Sequence, residues 1–265
     1  MKFFRPLYLL VLTALLLLNT NFVLAQTTTI AVAANMKDAF GEILQEFKQN
    51  NKAQMRVVYG SSGNFAAQII NGAPFNLLIA ADEQFPMELY KHGKTMNEGA
   101  VYAIGKLALI AKSPSVSSLD NRAEIAKAIV KANKVAIAKP ELAPYGKAAV
   151  EYLKAEGLWD LAKDKLVYGD NVGVATTYVV AGAADIGLTA LSLAKSAENT
   201  KGTHYALVDS KLYDPIRQRM VLMKGAPTEA QELYQFMQSS QAKAILQKYG
   251  YTTRSEEHTS ELQSH

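Results

Sequence analysis

The run TTIAVAA, from Thr28 to Ala34, is the stretch that decides the fold. It is short and apolar, and after it Phe40, Ile43 and Phe47 recur at helical spacing on one face. A short apolar run followed by a segment of helical spacing occurs five more times. The pairs of run and helical segment are 55–59 and 64–71, 77–80 and 83–91, 135–138 and 146–156, 166–168 and 172–180, and 186–189 with a short helix through Leu193. Such alternation predicts an α/β fold with mainly parallel sheets flanked by helices.

The length of the central region predicts two domains. Residues 26–253, about 228 in number, exceed what one open sheet usually needs. The strand predicted at 106–111 does not lead straight into a helix, and a strand from Arg219 to Met223 can return the chain. We therefore expect one lobe from 26–105 together with 218–253 and another from 106–217, joined by two crossings that form a hinge.

The two ends of the chain are predicted to lie outside this fold. Lys2 and Arg5 precede an apolar stretch from Leu7 to Leu18, and the segment closes with Val23-Leu24-Ala25. This is the pattern of a signal peptide, 1–25, cleaved after Ala25, and it is too short for the roughly 20 apolar residues of a membrane span. At the other end, residues 254–265 resemble a translated sequencing-library adapter and are predicted to be a non-native tail.

Composition excludes several classes of function. The chain has no cysteine, which excludes disulfides, thiol nucleophiles, cysteine-ligated zinc, iron–sulfur clusters and a lipid-bearing cysteine. The formal net charge of +4 comes from 28 basic and 24 acidic residues spread along the chain. We therefore expect no nucleic-acid partner.

Polar turns follow four of the predicted strands. In doubly wound sheets the ligand lies beyond the carboxyl ends of the strands, which is where such turns stand. Each turn opens a helix, so it presents unpaired backbone N–H groups and a partial positive charge to a bound anion. Taken singly, such turns are ordinary helix caps, but four from both lobes together favour an anion site. The turns are Ala34-Asn35-Met36, Gly60-Ser61-Ser62-Gly63, Pro144-Tyr145-Gly146 and Asp170-Asn171-Val172.

An enzyme is the alternative interpretation of these residues. A secreted serine hydrolase would need Ser61 or Ser62 activated by a histidine, and outside the two ends only His92 and His204 are present. Both histidines are expected to lie at solvated ends of elements, and the serine turn lacks the spacing of a nucleophile elbow. We therefore predict no catalytic residues. Asp82 could suggest a metal, but a helix cap is the preferred interpretation.

Several segments together resemble the periplasmic molybdate-binding proteins of ABC importers. The resemblance covers essentially all of the chain between its two ends, and the second and third segments carry most of its specificity. These segments are Ile30 to Met36, Gly60 to Gly63, Gly72 to Asp82, Pro140 to Gly146, Asp170 to Val172 and Lys248 to Tyr251.

The resemblance implies a two-lobed periplasmic binding protein fold of type II that closes around molybdate or tungstate. Its ligand contacts correspond to Asn35, Ser62, Tyr145 and the backbone N–H of Val172, with Ser61 as a neighbouring donor and no direct ligation of the metal. Where other members carry a tyrosine after a late strand this chain has Ala190, and we expect the Tyr145 hydroxyl to take that place.

The same resemblance implies a monomer that works in the periplasm without a cofactor and delivers its ligand to a permease in the inner membrane. A binder of another oxyanion, sulfate or phosphate, is the alternative within the same fold. The sequence does not distinguish molybdate from tungstate, which have nearly the same size and charge.

Overall fold

The fold was analysed on a computed structural model, which describes residues 27–113, 118–196 and 202–253. The predicted signal peptide and the predicted tail lie outside the described residues. Within these three ranges, none of the helices combines the length and the apolar character needed to cross a bilayer.

The first lobe is built on a five-stranded sheet with the order β2-β1-β3-β10-β4. β1 is parallel to both β2 and β3, whereas β10 is antiparallel to β3 and β4. The strands are β1 (Thr28–Ala33), β2 (Met55–Gly60), β3 (Leu77–Ile79), β4 (Ala100–Gly105) and β10 (Ile216–Leu222).

The second lobe repeats this plan with the order β7-β6-β8-β5-β9. β6 is parallel to β7 and β8, and β5 is antiparallel to β8 and β9. The strands are β5 (Leu107–Lys112), β6 (Val135–Ala138), β7 (Leu166–Gly169), β8 (Ile186–Ala190) and β9 (Thr203–Leu207). The chain passes between the lobes from β4 to β5 and returns from β9 to β10.

Helices cover both faces of each sheet because the buried strands carry apolar side chains on both sides. In the first lobe they are α1 (Lys37–Gln49), α2 (Ser62–Ile70), α3 (Gln84–Lys91), α9 (Thr228–Phe236) and α10 (Ser240–Lys248). In the second lobe they are α4 (Arg122–Lys131), α5 (Pro144–Ala155), α6 (Trp159–Ala162), α7 (Val172–Val180) and α8 (Leu191–Ala194). Short 3₁₀ turns lie at Ala34–Met36, Lys163–Lys165 and Ser210–Leu212.

Separate apolar cores lie on the faces of the sheets. On one face of the first sheet, Phe40 and Ile43 of α1 pack with Leu233 of α9. On its other face, Phe65 of α2 packs with Leu78 and Val221. The helical spacing quoted from the sequence therefore marks the face of α1 that packs on the sheet.

The predicted α/β architecture of flanked sheets is confirmed, with a difference in strand direction. In each sheet four strands run in one direction and one runs against them, and the reversed strand is the one that follows a crossing, β10 in the first sheet and β5 in the second. β10 begins at Ile216, two residues before the predicted return at 218. The sequence analysis did not identify β4, β9 or α4.

Candidate functional site

The start of α2 places two buried serines in the cleft between the lobes. Ser61 precedes the helix in an extended conformation, yet its side chain makes no capping bond. The residue is 4% exposed, and its buried Oγ has no hydrogen-bond partner among the residues that the structure describes. Ser62 Oγ accepts a hydrogen bond from the Ala81 N–H at 2.9 Å, which leaves the Ser62 proton for another acceptor. The Gly63 N–H reaches the Leu142 carbonyl of the other lobe at 3.0 Å.

Asn35 lies in the 3₁₀ turn after β1 and is 1% exposed. Its Nδ2 donates to Gln218 Oε1 at 3.0 Å and to the Tyr251 hydroxyl at 2.9 Å. Its backbone carbonyl accepts from Ser192 Oγ of the second lobe at 2.8 Å and from Tyr251 at 2.9 Å. Asn35 Oδ1 is buried and has no partner. The predicted side-chain donor thus has both N–H groups in use, and its free atom is an acceptor.

Tyr145 lies at the start of α5, where no side chain caps the helix. Its side chain is 2% exposed because the lobes meet over it. Its hydroxyl oxygen accepts from Gln218 Nε2 of the first lobe at 3.0 Å. Burial raises the pKa of Tyr145 well above its usual range, so the hydroxyl keeps its proton and remains a donor.

Val172 is the first residue of α7, and Asn171 before it caps the helix by accepting from the Val174 N–H at 3.0 Å. The N–H of Val172 belongs to the first turn, which has no acceptor within the helix. This turn adjoins the other lobe: a Cβ built on Gly173 would lie 3.4 Å from the Ala34 Cβ.

The structure brings two of the predicted site residues, Asn35 and Tyr145, into one group of buried, uncharged side chains, which we call the cleft network. Gln218 is hydrogen-bonded to both Asn35 and Tyr145. On the other side of Asn35, Tyr251 is hydrogen-bonded to Ser192. The members are Asn35, Tyr102, Tyr145, Ser192, Gln218 and Tyr251. Ser61 and Ser62 make no hydrogen bond to this network among the described residues.

Sequence reasoning missed Gln218, Tyr102 and Ser192. Gln218 is a single uncharged polar residue between inward-facing Ile216 and Met220, and a buried amide at such a position is a signal that something must satisfy it. Ala190 is fully buried at the end of β8, and Ser192 two residues later supplies a hydroxyl to the network.

The histidines do not form a catalytic group with the serines. His92 lies at the exposed end of α3, as expected. His204 does not lie at a solvated end as predicted, because it belongs to β9, where it pairs with Ala111 and its Nε2 is buried without a partner. Neither ring bonds to Ser61 or Ser62 among the described residues.

Asp82, which follows β3, caps the start of α3, as preferred from the sequence. Asp82 Oδ1 accepts from the Phe85 N–H at 3.0 Å. No cluster of metal-binding side chains occurs in the part of the chain that the structure describes.

Comparison with known proteins places this geometry in a family. Residues 28–252 match the family model of the bacterial extracellular solute-binding proteins. The molybdate-binding protein ModA of Azotobacter vinelandii is 36% identical over 86% of this chain and 90% of its own length. ModA of Rhodobacter capsulatus is 34% identical over 84% of this chain and 87% of its own.

Solved structures give the same assignment. The periplasmic molybdate-binding protein of Azotobacter vinelandii superposes with a TM-score of 0.77 and 30% identity, covering 85% of this chain and 98% of that one. The sulfate-binding protein SubI of Mycobacterium tuberculosis, at 14% identity over 86% of this chain and 87% of that one and a TM-score of 0.69, shares the fold. The chain belongs to the bacterial extracellular solute-binding protein family and, within it, to the group of the ModA molybdate-binding proteins.

Proposed function

We propose that this protein captures molybdate, and also tungstate, between its two lobes and delivers it to the permease of an ABC importer. It would act as a monomer in the periplasm after cleavage of its signal peptide behind Ala25, without a cofactor and without catalysis. Its relatives named for molybdate binding support the ligand, and the uncharged cleft network supports the way in which the ligand is held.

The single observation that carries this proposal is the buried Ser61 hydroxyl. A buried polar group without a partner is costly, and natural proteins rarely keep one without a reason. Ser61 stands directly before α2, and its side chain does not cap that helix. Its hydroxyl proton is therefore available to a ligand oxygen at the helix N-terminus.

Neutral donors can hold a dianion if every oxygen is hydrogen-bonded. The candidate donors are Ser61, Ser62, Tyr145 and the backbone N–H of Val172, with further N–H groups from the same first turns. Asn35, also predicted as a contact, already donates both side-chain N–H groups to Gln218 and Tyr251. Each charge-assisted bond contributes about 1.5 to 3 kcal/mol, so about six or seven bonds support sub-micromolar binding after the cost of closure.

Cavity size and protonation would set the preference among oxyanions. Sulfate is smaller than molybdate, so donors placed for molybdate would meet its oxygens at stretched distances. Hydrogen phosphate carries a proton that needs an acceptor, and none of the proposed contact side chains is a carboxylate.

A ligand that touches both lobes binds their closed arrangement better and shifts the population toward it. In the structure the lobes are already joined across the cleft, by Gly63 to Leu142 and by Lys195 Nζ to the Lys248 carbonyl at 3.0 Å. The closed surface is what a permease would recognise.

Titration calorimetry of the purified protein with molybdate, tungstate, sulfate and phosphate tests the proposal. We expect tight binding of the first two and much weaker binding of the others. Tight binding of sulfate or phosphate instead would favour the alternative ligand, and turnover of a generic ester that is lost in Ser62→Ala would favour a hydrolase. Molybdate binding unchanged by both Ser62→Ala and Asn35→Ala would remove the site assignment.

A further inference from the structure

The amide of Gln218 joins residues of both lobes inside the cleft network. Gln218 is fully buried in β10, the strand that returns the chain to the first lobe. Its Oε1 accepts from Asn35 Nδ2 at 3.0 Å, and its Nε2 donates to the Tyr145 hydroxyl at 3.0 Å. The Tyr102 hydroxyl lies 2.8 Å from Gln218 Oε1 and 2.9 Å from the Ala80 carbonyl, and these two acceptors share its single proton. Every polar atom of this side chain is therefore in use.

This arrangement sets the direction of the hydrogen bonds at Tyr145. A phenol hydroxyl has one proton, and because the Tyr145 oxygen accepts from Gln218, that proton lies outside this bond. Among the described residues the structure shows no acceptor for it. Asn35 differs from Tyr145, because both its side-chain N–H groups already donate hydrogen bonds and its Oδ1, an acceptor, has no partner among the described residues.

We propose that Gln218 is a positioning residue, which directs the Tyr145 proton toward the bound oxyanion without touching the anion itself. The inference rests on the proposed function. A glutamine is needed because it accepts from Asn35 at one end and donates to Tyr145 at the other. A glutamate would offer only acceptors, so it would draw the Tyr145 proton toward itself and place a negative charge beside a dianion.

Calorimetry of wild type and Gln218→Glu with molybdate provides the first test. We expect binding about 10- to 100-fold weaker in the variant, the effect of losing one charge-assisted bond. The loss should diminish from about pH 8 to about pH 6, because burial raises the pKa of a carboxyl and its protonation removes the added charge. Gln235→Glu makes the same charge change at an exposed position of α9 and should bind like wild type.

A double-mutant cycle tests whether Gln218 acts through Tyr145. Gln218→Leu should weaken molybdate binding at least about tenfold in the wild-type background and less than about threefold in Tyr145→Phe, because contacting residues are not additive. Additive losses, or a Gln218→Glu protein that binds within about threefold of wild type, overturn the proposal. So does a larger loss in Asn35→Ala than in Tyr145→Phe, which would mean that the two amides are reversed and that Asn35 is the donor.

Two controls separate the possible failures. Thermal unfolding of each ligand-free variant shows whether it is folded, and if Gln218→Glu is not, the cycle with Gln218→Leu decides alone. If the wild type binds sulfate or phosphate rather than molybdate, the proposed ligand is wrong, and the same cycle run with the bound anion still tests Gln218.

Discussion

Alanine at position 105 should weaken ligand binding while leaving the ligand-free protein folded. Gly105 is the last residue of β4, directly before the chain crosses into the second lobe. A Cβ built on it would lie 3.1 Å from Tyr145 Cζ and would overlap the Tyr145 hydroxyl and Gln218 Nε2. Tyr145 belongs to the other lobe, so its overlap exists only when the lobes are together. Gln218 lies in the same sheet as Gly105, and the end of its flexible side chain can turn away from the added methyl once Tyr145 has left.

The magnitude follows from what the added methyl group displaces. Forcing an extra methyl into a packed region costs about 1 to 3 kcal/mol, and here the cost falls on the closed arrangement. If binding requires that arrangement, affinity should fall about 5- to 150-fold. The ligand-free protein should change much less, because replacing glycine also restricts the unfolded chain by about 0.4 to 1 kcal/mol.

Calorimetry with molybdate, together with thermal unfolding of the ligand-free protein, checks both halves of this prediction. Gly41→Ala is the matched control, since Gly41 lies in α1 and a Cβ there meets nothing within 4 Å. It should leave binding unchanged and stabilise the protein by up to about 1 kcal/mol. Binding by Gly105→Ala within about twofold of wild type would show that Tyr145 does not need its position over Gly105.

Three further substitutions have definite expected outcomes. Ser61→Ala should weaken molybdate binding about tenfold or more in calorimetry, yet keep or raise the melting temperature, because the buried hydroxyl has no partner to lose. Burial raises the pKa of Asp82 to about 7, so the folded protein keeps a proton that the unfolded chain releases, and stability should fall as the pH rises from about 4 to about 7. Asp82→Asn should reduce this fall in urea unfolding at several pH values, and unchanged profiles would contradict the role of Asp82. Glu83→Gln should lower the free energy of unfolding by about 1 kcal/mol, and urea titration measures this loss. The reason is that Glu83 forms ion pairs with Arg217 at 2.8 Å and with Arg219 at 2.6 Å, and these side chains are partly exposed.

Elements with a strong local signal could be predicted from the sequence, and elements without one could not. β6 and α7 begin and end where expected, because an apolar run and a capped helical segment define each of them locally. β4 and β9 lie at sheet edges and are not followed directly by an α-helix, so the succession of strand and helix does not mark them.

The site shows the same limit. Asn35 and Ser61 stand in helix-opening turns that the sequence displays, so they were singled out before any geometry was known. The hydrogen bonds of Gln218 come from partners as far as 183 positions away along the chain, and no local pattern shows such partners. The burial of Tyr145 likewise depends on how the lobes meet, which composition and periodicity do not determine.

The hydrogen bond between Asn35 and Tyr251 spans 216 positions of the chain, and it sets when the pocket can first exist. A polypeptide still being synthesised lacks this bond until residue 251 has left the ribosome, even if most of the first sheet has already formed. A chain secreted in an unfolded form therefore becomes able to take up an anion only after nearly all of it has been translocated. Such a chain would not carry cytoplasmic molybdate out of the cell.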